Sequence, residues 1–383
     1  MPKSRQNRSA PAPKELIRFK KSLVSVRDWT RLRADLLAWY DLNLRDLPWR
    51  RTNDPYAIWV SEIMLQQTRV AVVVERYKVF LQRFPTVASL ALADESEVLA
   101  LWSGLGYYRR ARMLHKAAQF VANQRGGKLP ATAAELRTLP GIGPYTAAAI
   151  ASIAHGEAVA VVDGNVERVL SRLEGWEFGN GTGQSALKRR IEGLADKLVD
   201  PARPGDFNQA LMELGATVCL PRNPQCLVCP LAGNCKTRGE HKTAPRPRMQ
   251  SREVAHALVV RTRRRSGRSS REVLLEQRPA SLSVMPGLWE LPTLKDTAVP
   301  EEELLMTVRH AIMQVNYSVR IRNVAEVDVD AMAVPGGERR WVPQDQAAGM
   351  ALTGLTRKVL TRAHLLPAAA RGAASLHAPV EVV

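Results

Sequence analysis

Apolar residues recur at helical spacing from the start of the sequence to beyond its middle. Four of them share one face of the first predicted helix: Leu32, Leu36, Leu37 and Tyr40. Asp28 can cap this helix, and Asp54 followed by Pro55 marks the start of another. Thr132 opens a Thr-Ala-Ala-Glu capping-box pattern. Further helices are predicted over residues 70–84, 94–103, 107–125, 144–155, 165–173, 184–199 and 206–218.

The pattern then changes towards alternation, which predicts strands in the last third of the chain. Val-rich runs predict strands at 254–260, 272–276 and 317–329, with helices at 300–311 and 344–362. Between the two patterns, His241–Gln250 has two prolines, little apolar content and the composition of a linker. We therefore predict an all-α domain and a smaller α+β domain with flexible ends: 1–26 a basic arm, 27–236 the all-α domain, 237–251 a linker, 252–366 the α+β domain and 367–383 a tail.

Composition places the chain among globular proteins with a polyanionic partner. Of 383 residues, 45% are hydrophobic and 24% charged, which excludes wholesale disorder. The 55 Lys and Arg against 37 Asp and Glu give a formal net charge of +18. This favours nucleic acid or an acidic membrane surface over a merely solvated basic surface. No apolar run approaches the roughly 20 residues of a membrane span, and no apolar segment follows the basic N-terminus. We therefore expect a cytoplasmic protein without a membrane segment or secretory signal.

The excess positive charge concentrates at two places. One is the predicted arm at 1–26, and the other runs from Lys236 to Arg271. Within the second, Thr262–Arg271 lies between two strand-like runs and is predicted to be a basic hairpin loop.

The chain's four cysteines fall within one short segment and follow the spacing C-x6-C-x2-C-x5-C: Cys219, Cys226, Cys229 and Cys235. Scattered cysteines are usually buried thiols, whereas four in one segment indicate a single four-thiolate site. The chemistry of the thiolates allows either tetrahedral zinc or a [4Fe–4S] cluster.

The segment Leu139–Ala147 joins two predicted helices through a Gly-Ile-Gly turn. Gly141 and Gly143 both permit positive φ and the close approach of another backbone. A helix is predicted to begin at Pro144, so the unpaired backbone amides of its first turn would face a ligand bound at the Gly-Ile-Gly turn. This arrangement suits a DNA phosphodiester with a possible bridging cation, and the alternative is a plain helix-packing corner.

Two carboxylates stand in otherwise apolar segments. Glu62 lies in Trp-Val-Ser-Glu-Ile-Met-Leu, and Asp163 follows Val-Ala-Val-Val. Buried carboxylates need partners or a raised pKa, and paired ones can perform acid catalysis at a glycosidic bond. For Asp163 the N-cap of the next helix is an equally good interpretation.

Several long motifs stand in one order along the predicted all-α domain: Pro48–Arg50, Ser61–Thr68, Leu101–Arg109, Leu139–Ala147, Val162–Arg168, Phe207–Ala210 and the four cysteines. Together they resemble the helix-hairpin-helix DNA glycosylases that carry a [4Fe–4S] cluster, in particular the adenine glycosylases of the MutY type. The resemblance extends from about Arg45 to Cys235 and is weaker beyond. It implies a helix-hairpin-helix at about 136–155, an iron–sulfur loop at 219–235, and a nucleoid-associated monomer that binds duplex DNA containing an adenine mispair.

The resemblance also implies roles for the catalytic residues. Glu62 would protonate N7 of a flipped adenine and later help to activate water, while Asp163 would stabilise the cationic sugar. Tyr145 and Asn165 would orient these groups. Bifunctional relatives carry a Schiff-base lysine where this chain has Tyr145, and a phenol cannot form an imine. The chain is therefore expected to be monofunctional and to leave an abasic site.

By the same resemblance, Trp49, Arg50 and Leu65 would line the adenine pocket. Gln67 and Tyr107 would enter the duplex at the lesion. The alternative for Trp49, Leu65 and Tyr107 is that they are core residues, as aromatic and Leu positions usually are.

From about residue 252 the chain resembles a Nudix-like lesion-recognition domain, with Met285–Pro292 as the clearest match. A catalytic Nudix box is not expected, because only Glu301–Glu303 follows. The family's Phe-Ser-His reader of 8-oxoguanine is here replaced by Ile312, Met313 and Gln314. Since Met cannot replace the Ser hydroxyl, the preference for the base opposite adenine is expected to be relaxed.

Two other functions are weighed against excision of adenine opposite 8-oxoguanine or guanine. One is a related mismatch glycosylase that removes another base such as thymine, against which Trp49 and Arg50 argue. The other is a non-catalytic lesion-binding protein, against which the intact Glu62 and Asp163 argue.

Overall fold

The structure is a computed structural model that describes residues 29–177, 183–241, 248–265, 268–334 and 336–367. The predicted arm at 1–26, the Asp28 cap and all but the first residue of the predicted tail lie outside the described residues. So does 242–247 of the predicted linker. Within the described ranges, no helix has the length and apolar character needed to cross a membrane.

The described residues between 29 and 241, called the helical part below, are mostly helical. The helices are Trp29–Asn43 (α1), Pro55–Leu65 (α2), Val70–Arg83 (α3), Val87–Ala91 (α4), Glu95–Leu101 (α5), Arg109–Gln124 (α6), Ala133–Leu136 (α7), Pro144–His155 (α8), Gly164–Glu174 (α9), Gln184–Leu198 (α10) and Pro204–Thr217 (α11). Short 3-10 turns lie at Pro48–Arg50, Cys226–Val228 and Ala232–Asn234. The predicted helices are confirmed, and only the short α4 was not predicted.

Two apolar cores organise the helical part. The first gathers side chains of α2 to α8 around Trp59, Phe80 and Trp102. The second joins α1 to α9, α10 and α11 around Leu36 and Phe207. Because α2 belongs to one core and α9 to the other, the two carboxylates singled out in the sequence come from different cores.

Residues 248–367, called the C-terminal part below, form two small sheets with short helices. The strands are Gln250–Leu258 (β1), Val260–Arg265 (β2), Arg268–Gln277 (β3), Trp289–Glu290 (β4), Leu304–Ile312 (β5), Val315–Asn323 (β6) and Arg339–Pro343 (β7). The helices are Val329–Met332 (α12), Gln344–Ala347 (α13) and Gly354–Arg362 (α14), with 3-10 turns at Glu301–Glu303 and Glu326–Asp328. In one sheet β6 lies between parallel β1 and antiparallel β5; in the other β3 pairs antiparallel with β2, β4 and β7. The predicted order of an all-α part and a smaller part with sheets is confirmed.

Several predictions for the C-terminal part are wrong. The predicted helix at 300–311 is strand β5, because Met306, Val308 and His310 alternate with exposed neighbours. The acidic residues Glu301–Glu303 are typical of the start of a helix, but they form only one 3-10 turn. The strand predicted at 317–329 ends at Asn323, and the helix predicted at 344–362 is divided into α13 and α14.

The basic segment 262–271 was predicted to be a hairpin loop, but β2 and β3 extend into it from both sides. Thr262 pairs with Arg271 and Arg264 with Ser269, which leaves only 266–267 outside the described residues. Charged side chains are compatible with a strand when they are exposed, as those of Arg264 and Arg271 are.

Candidate active site

Glu62 lies in the middle of α2, which Asp54 caps by accepting hydrogen bonds from Tyr56 N and Ala57 N. Glu62 is 5% exposed. Its Oε2 accepts a hydrogen bond from the Tyr145 hydroxyl at 2.7 Å. The pKa of Glu62 is raised to about 7, mainly by burial. The hydrogen bond from Tyr145 lowers this pKa, whereas the nearby charge of Asp163 raises it further. A carboxyl with this pKa exchanges its proton near neutrality, as a general acid requires.

Asp163 occupies the N-cap of α9. Its Oδ1 accepts the Val166 amide at 2.7 Å, and its Oδ2 accepts Asn165 Nδ2 at 2.8 Å. A Cβ on Gly215 would lie 2.6 Å from Asn165 Cβ, so the missing side chain lets α11 approach α9 closely. The interpretation of Asp163 as an N-cap is therefore confirmed. Its side chain is also partly exposed and lines the cavity described next.

A cavity of about 640 Å³ opens between the two helical cores, and we call it the first cavity. It is lined by eight of the residues singled out in the sequence: Trp49, Arg50, Glu62, Leu65, Gln67, Tyr145, Asp163 and Asn165. Trp49 also packs edge-on against Tyr77, with ring centroids 5.5 Å apart, so its core interpretation holds as well. The structure thus brings a buried carboxyl and a partly exposed carboxylate to one cavity.

Glu213, on the same cavity, was missed in the sequence. Only 1% exposed, it accepts hydrogen bonds from Arg45 Nε at 2.6 Å and Arg50 Nη2 at 2.7 Å. Burial would raise the pKa of Glu213, but the bonds from Arg45 and Arg50 outweigh it and hold that pKa below its ordinary value. Glu213 therefore fixes Arg50 in the cavity wall as a buried ion pair. Its setting, a lone carboxylate in Leu-Met-Glu-Leu-Gly, resembles that of Glu62 and was a usable signal.

Gln67 and Tyr107 meet at a second cavity of about 380 Å³. Both have positive φ, 56° and 47°, which is costly for residues with side chains and must be held by the surroundings. Arg110 supplies this support. Its guanidinium donates to the carbonyls of Ile63 and Met64 in the last turn of α2, just before Gln67. It also donates to the carbonyls of Leu105 and Gly106, just before Tyr107.

The Gly-Ile-Gly turn differs from the sequence prediction in one respect. Gly141 has a φ of 75°, and a Cβ there would lie 2.6 Å from Met113 Cβ. Gly143, by contrast, is the N-cap of α8 with an ordinary φ of −87° and open space above it. Gly141 provides the close approach, while Gly143 leaves the amides at the start of α8 accessible.

All four cysteines line one small cavity together with Arg172. Arg172 Nη1 lies 3.3 Å from Cys219 Sγ, and the Arg238 amide donates to Cys235 Sγ at 3.5 Å. In the described part of the chain, no group of three or more His, Cys, Asp or Glu side chains is placed to hold a single metal ion. The cysteines are thus gathered at one place with donors directed at their sulfur atoms.

A chain of hydrogen bonds connects this cysteine segment to Asp163. Asn165, which donates to Asp163, accepts Arg168 Nη2 at 2.9 Å. Arg168 Nε in turn donates to the carbonyl of Cys219 at 2.8 Å. Hydrogen bonds through Arg168 therefore connect the start of α9 to the backbone of the first cysteine.

Comparison with known proteins decides the family. Residues 60–200 match the model of the HhH-GPD superfamily base excision DNA repair proteins. The human adenine DNA glycosylase is 37% identical over 412 aligned positions, which cover 87% of this chain and 74% of the human protein. The mouse adenine DNA glycosylase is 36% identical, covering 87% and 78%. The chain belongs to the adenine DNA glycosylase family.

The fold of the helical part is also that of a solved thermostable thymine-DNA glycosylase. That structure is 31% identical, has a TM-score of 0.50, and covers 55% of this chain and 96% of its own. The adenine DNA glycosylase relatives extend over more of the chain, into the C-terminal part.

In this member of the adenine DNA glycosylase family, Met313 and Gln314 form the tight turn between β5 and β6, and Ile312 is the last residue of β5. These three residues are called the reader turn below, after the role that the resemblance implies. Met313 has a φ of 53° and is 73% exposed. Ile312 and Met313 line a third cavity of about 460 Å³, which lies within the C-terminal part. The backbone carbonyl of Gln314 accepts a hydrogen bond from the backbone amide of Gln250 at 2.9 Å. The reader turn therefore does not share the first cavity with Glu62.

Proposed function

We propose that this protein is a base excision repair enzyme that hydrolyses the N-glycosidic bond of adenine in duplex DNA. The observation that carries the proposal is the pair Glu62 and Asp163 on one cavity, in contrasting environments. Human and mouse relatives named adenine DNA glycosylase support the choice of adenine.

Each carboxyl has a distinct part in the proposed reaction. Glu62, protonated near neutral pH, gives its proton to N7 of adenine, so that the bond from C1′ to the base breaks and neutral adenine leaves. The Asp163 carboxylate stabilises the oxocarbenium-like sugar. Water then adds at C1′ and passes a proton to ionised Glu62, which restores the enzyme. Tyr145 holds Glu62, and Asn165 holds Asp163, at the distances given above.

The surrounding residues suit a flipped base. Trp49 and Leu65 provide apolar surface, and Arg50, held by Glu213, provides a fixed donor. Gln67 and Tyr107 enter the space that the base vacates. The amides at the start of α8 bind a backbone phosphate, as helix N-termini do. The cation predicted at that turn stays a prediction.

The four cysteines are proposed to hold a [4Fe–4S] cluster. The guanidinium of Arg172 beside Cys219 Sγ favours a thiolate at this cysteine, which fits a metal-bound state. Four cysteine thiolates are the number that such a cluster requires, and the four cysteines of this chain line one cavity. When bound, the cluster would tie the segment 219–235 together and leave the reaction to Glu62 and Asp163.

The test is release of base from a set of duplexes. We expect adenine to be released from mispairs with 8-oxoguanine and guanine, and strand cleavage to require alkali, because Tyr145 cannot form an imine with C1′. Retained adenine in every mispair would contradict the proposal. Release of thymine from a T·G duplex instead would favour the related thymine function, and tight lesion binding without release would favour the non-catalytic one.

The excision rate is expected to fall as the pH rises through about 7, because only protonated Glu62 can donate its proton. Tyr145→Phe removes a hydrogen bond that lowers the pKa of Glu62, so the fall should move to higher pH. Single-turnover rates at saturating enzyme, measured across the neutral range, check both expectations. A rate that does not change with pH, or a shift of the Tyr145→Phe profile to lower pH, would contradict the role of Glu62.

The C-terminal part is proposed to be a Nudix-like domain whose reader turn contacts the base opposite adenine. Met313 offers no hydrogen bond there, so a hydroxyl should restore discrimination. We expect Met313→Ser to raise the ratio of excision rates opposite 8-oxoguanine and opposite guanine by about fivefold, the value of one net hydrogen bond. Val327→Ser, at another exposed apolar position, is the control. An unchanged ratio in Met313→Ser would show that the turn does not read this base.

A further inference from the structure

The loop that carries Tyr107 has an unusual backbone. Residues 102–108 join α5 to α6, and Gly104, Gly106 and Tyr107 within them have φ values of 96°, 69° and 47°. The Tyr107 side chain is 53% exposed. A tyrosine with positive φ is strained, so its backbone conformation must be stabilised by neighbouring contacts. The contacts of this loop therefore determine the orientation of the Tyr107 ring.

The C-terminal part holds both ends of the loop. Arg357 Nε, on α14, donates to Ser103 Oγ at 2.8 Å. At the other end, the Tyr108 hydroxyl donates to the Leu352 carbonyl at 3.0 Å. Ser103 and Tyr108 are buried, and they flank the residues with positive φ. The hydrogen bonds therefore act on the two ends of the loop and not on the exposed Tyr107 side chain, whose ring lies 5.5 Å from the Arg110 guanidinium.

Apolar contacts make this junction continuous with the helical part. Leu288 and Ala351 are buried within the first helical core. Arg112 Nη2, on α6, donates to the Pro286 carbonyl at 2.6 Å. The C-terminal part is thus packed against α6 and its preceding loop.

The same helix, α14, contacts the region of the reader turn. Lys358 Nζ donates to the Arg309 carbonyl on β5 at 2.9 Å. Leu355 lines the third cavity together with Ile312 and Met313. Neighbouring residues of one helix therefore contact the strand that leads to the reader turn and the loop that carries Tyr107.

We infer that Arg357 is a positioning residue for base extrusion, which holds the Tyr107 loop in the conformation that enters the duplex. The C-terminal part then contributes to adenine excision without contacting the excised base. Arg110 fixes the loop from within the helical part, and Arg357 fixes it from α14. The inference rests on the proposed function, in which Tyr107 enters the base stack.

The test compares Arg357→Gln with Arg362→Gln, a control with the same charge change at an exposed position of α14. We expect Arg357→Gln to lower the single-turnover rate of adenine release opposite 8-oxoguanine by about tenfold, because a hydrogen bond from a charged group contributes more than a neutral one. Fluorescence of 2-aminopurine beside the mispair, which increases when the stack is opened, should increase less. The Kd for undamaged duplex should not change, because Arg357 contacts protein.

Dependence on Tyr107 separates positioning from general damage. In a Tyr107→Ala background, Arg357→Gln should cause no further loss, and Ser103→Ala should reproduce the loss if Arg357→Gln does not fold. The inference would be overturned if Arg357→Gln lowered the rate by the full tenfold in the Tyr107→Ala background. It would also be overturned if both Arg357→Gln and Ser103→Ala had normal rates. Neither result would affect the proposed function. A wild-type enzyme that releases no adenine would overturn the proposed function, and the inference with it.

Discussion

Glu62→Gln is expected to lower adenine release by at least about a thousandfold, within the range that a general acid contributes. The amide keeps the shape of the side chain and can still accept the Tyr145 hydroxyl, but it cannot donate a proton to N7. Binding of the mispaired duplex should persist, because Glu62 is buried and the amide keeps the size and shape of its side chain. Single-turnover release and equilibrium binding to the same duplex measure the two effects.

The control is Glu192→Gln, which removes a carboxylate from an exposed position on α10. It should leave both release and binding unchanged. Thermal unfolding of Glu62→Gln should occur at or above the wild-type temperature, since a neutral amide replaces a carboxyl that burial disfavours as an anion. Normal adenine release by Glu62→Gln would remove this residue from the mechanism.

Glu213→Gln is expected to destabilise the protein by about 3 kcal/mol or more, because breaking a buried ion pair leaves its partner charge uncompensated. Arg50 is 9% exposed at its side chain and loses its carboxylate in this variant. Adenine release should also fall, since Arg50 lines the first cavity. Urea unfolding followed by circular dichroism gives the free energy of unfolding.

The matched comparison is Asp41→Asn. Asp41 pairs with Arg203 through two hydrogen bonds of 2.9 and 2.7 Å, but both side chains are nearly half exposed. Exposed pairs contribute about 1 kcal/mol or less, so this variant should unfold close to the wild type. Equal destabilisation by the two variants would show that burial does not decide the strength of the Glu213 pairs.

The helices were predictable because their apolar spacing reports directly on burial. The meeting of Glu62 and Asp163 was not, because they lie far apart in the sequence and belong to different cores. Only the resemblance to a known family connected them beforehand. Glu213 could have been found by the criterion applied to Glu62, a lone acidic residue within an apolar helix.

The C-terminal part was harder to predict, because local signals there conflict with pairing between strands. Glu301–Glu303 favours the start of a helix, yet the residues after it alternate and pair with β6. Arg263 and Arg264 favoured a loop, yet β2 extends through them because an exposed edge strand accepts charge. In both places, partners distant in the sequence determine the structure.

Gly215 influences the first cavity although it does not line that cavity. Helix α11 contributes Met212 and Glu213 to the lining of the first cavity, and Asn165 of the adjacent α9 belongs to the same lining. The helix can come this near only because position 215 has no side chain. The arrangement of these lining residues therefore depends on a close helix contact at position 215, which is itself not part of the cavity lining.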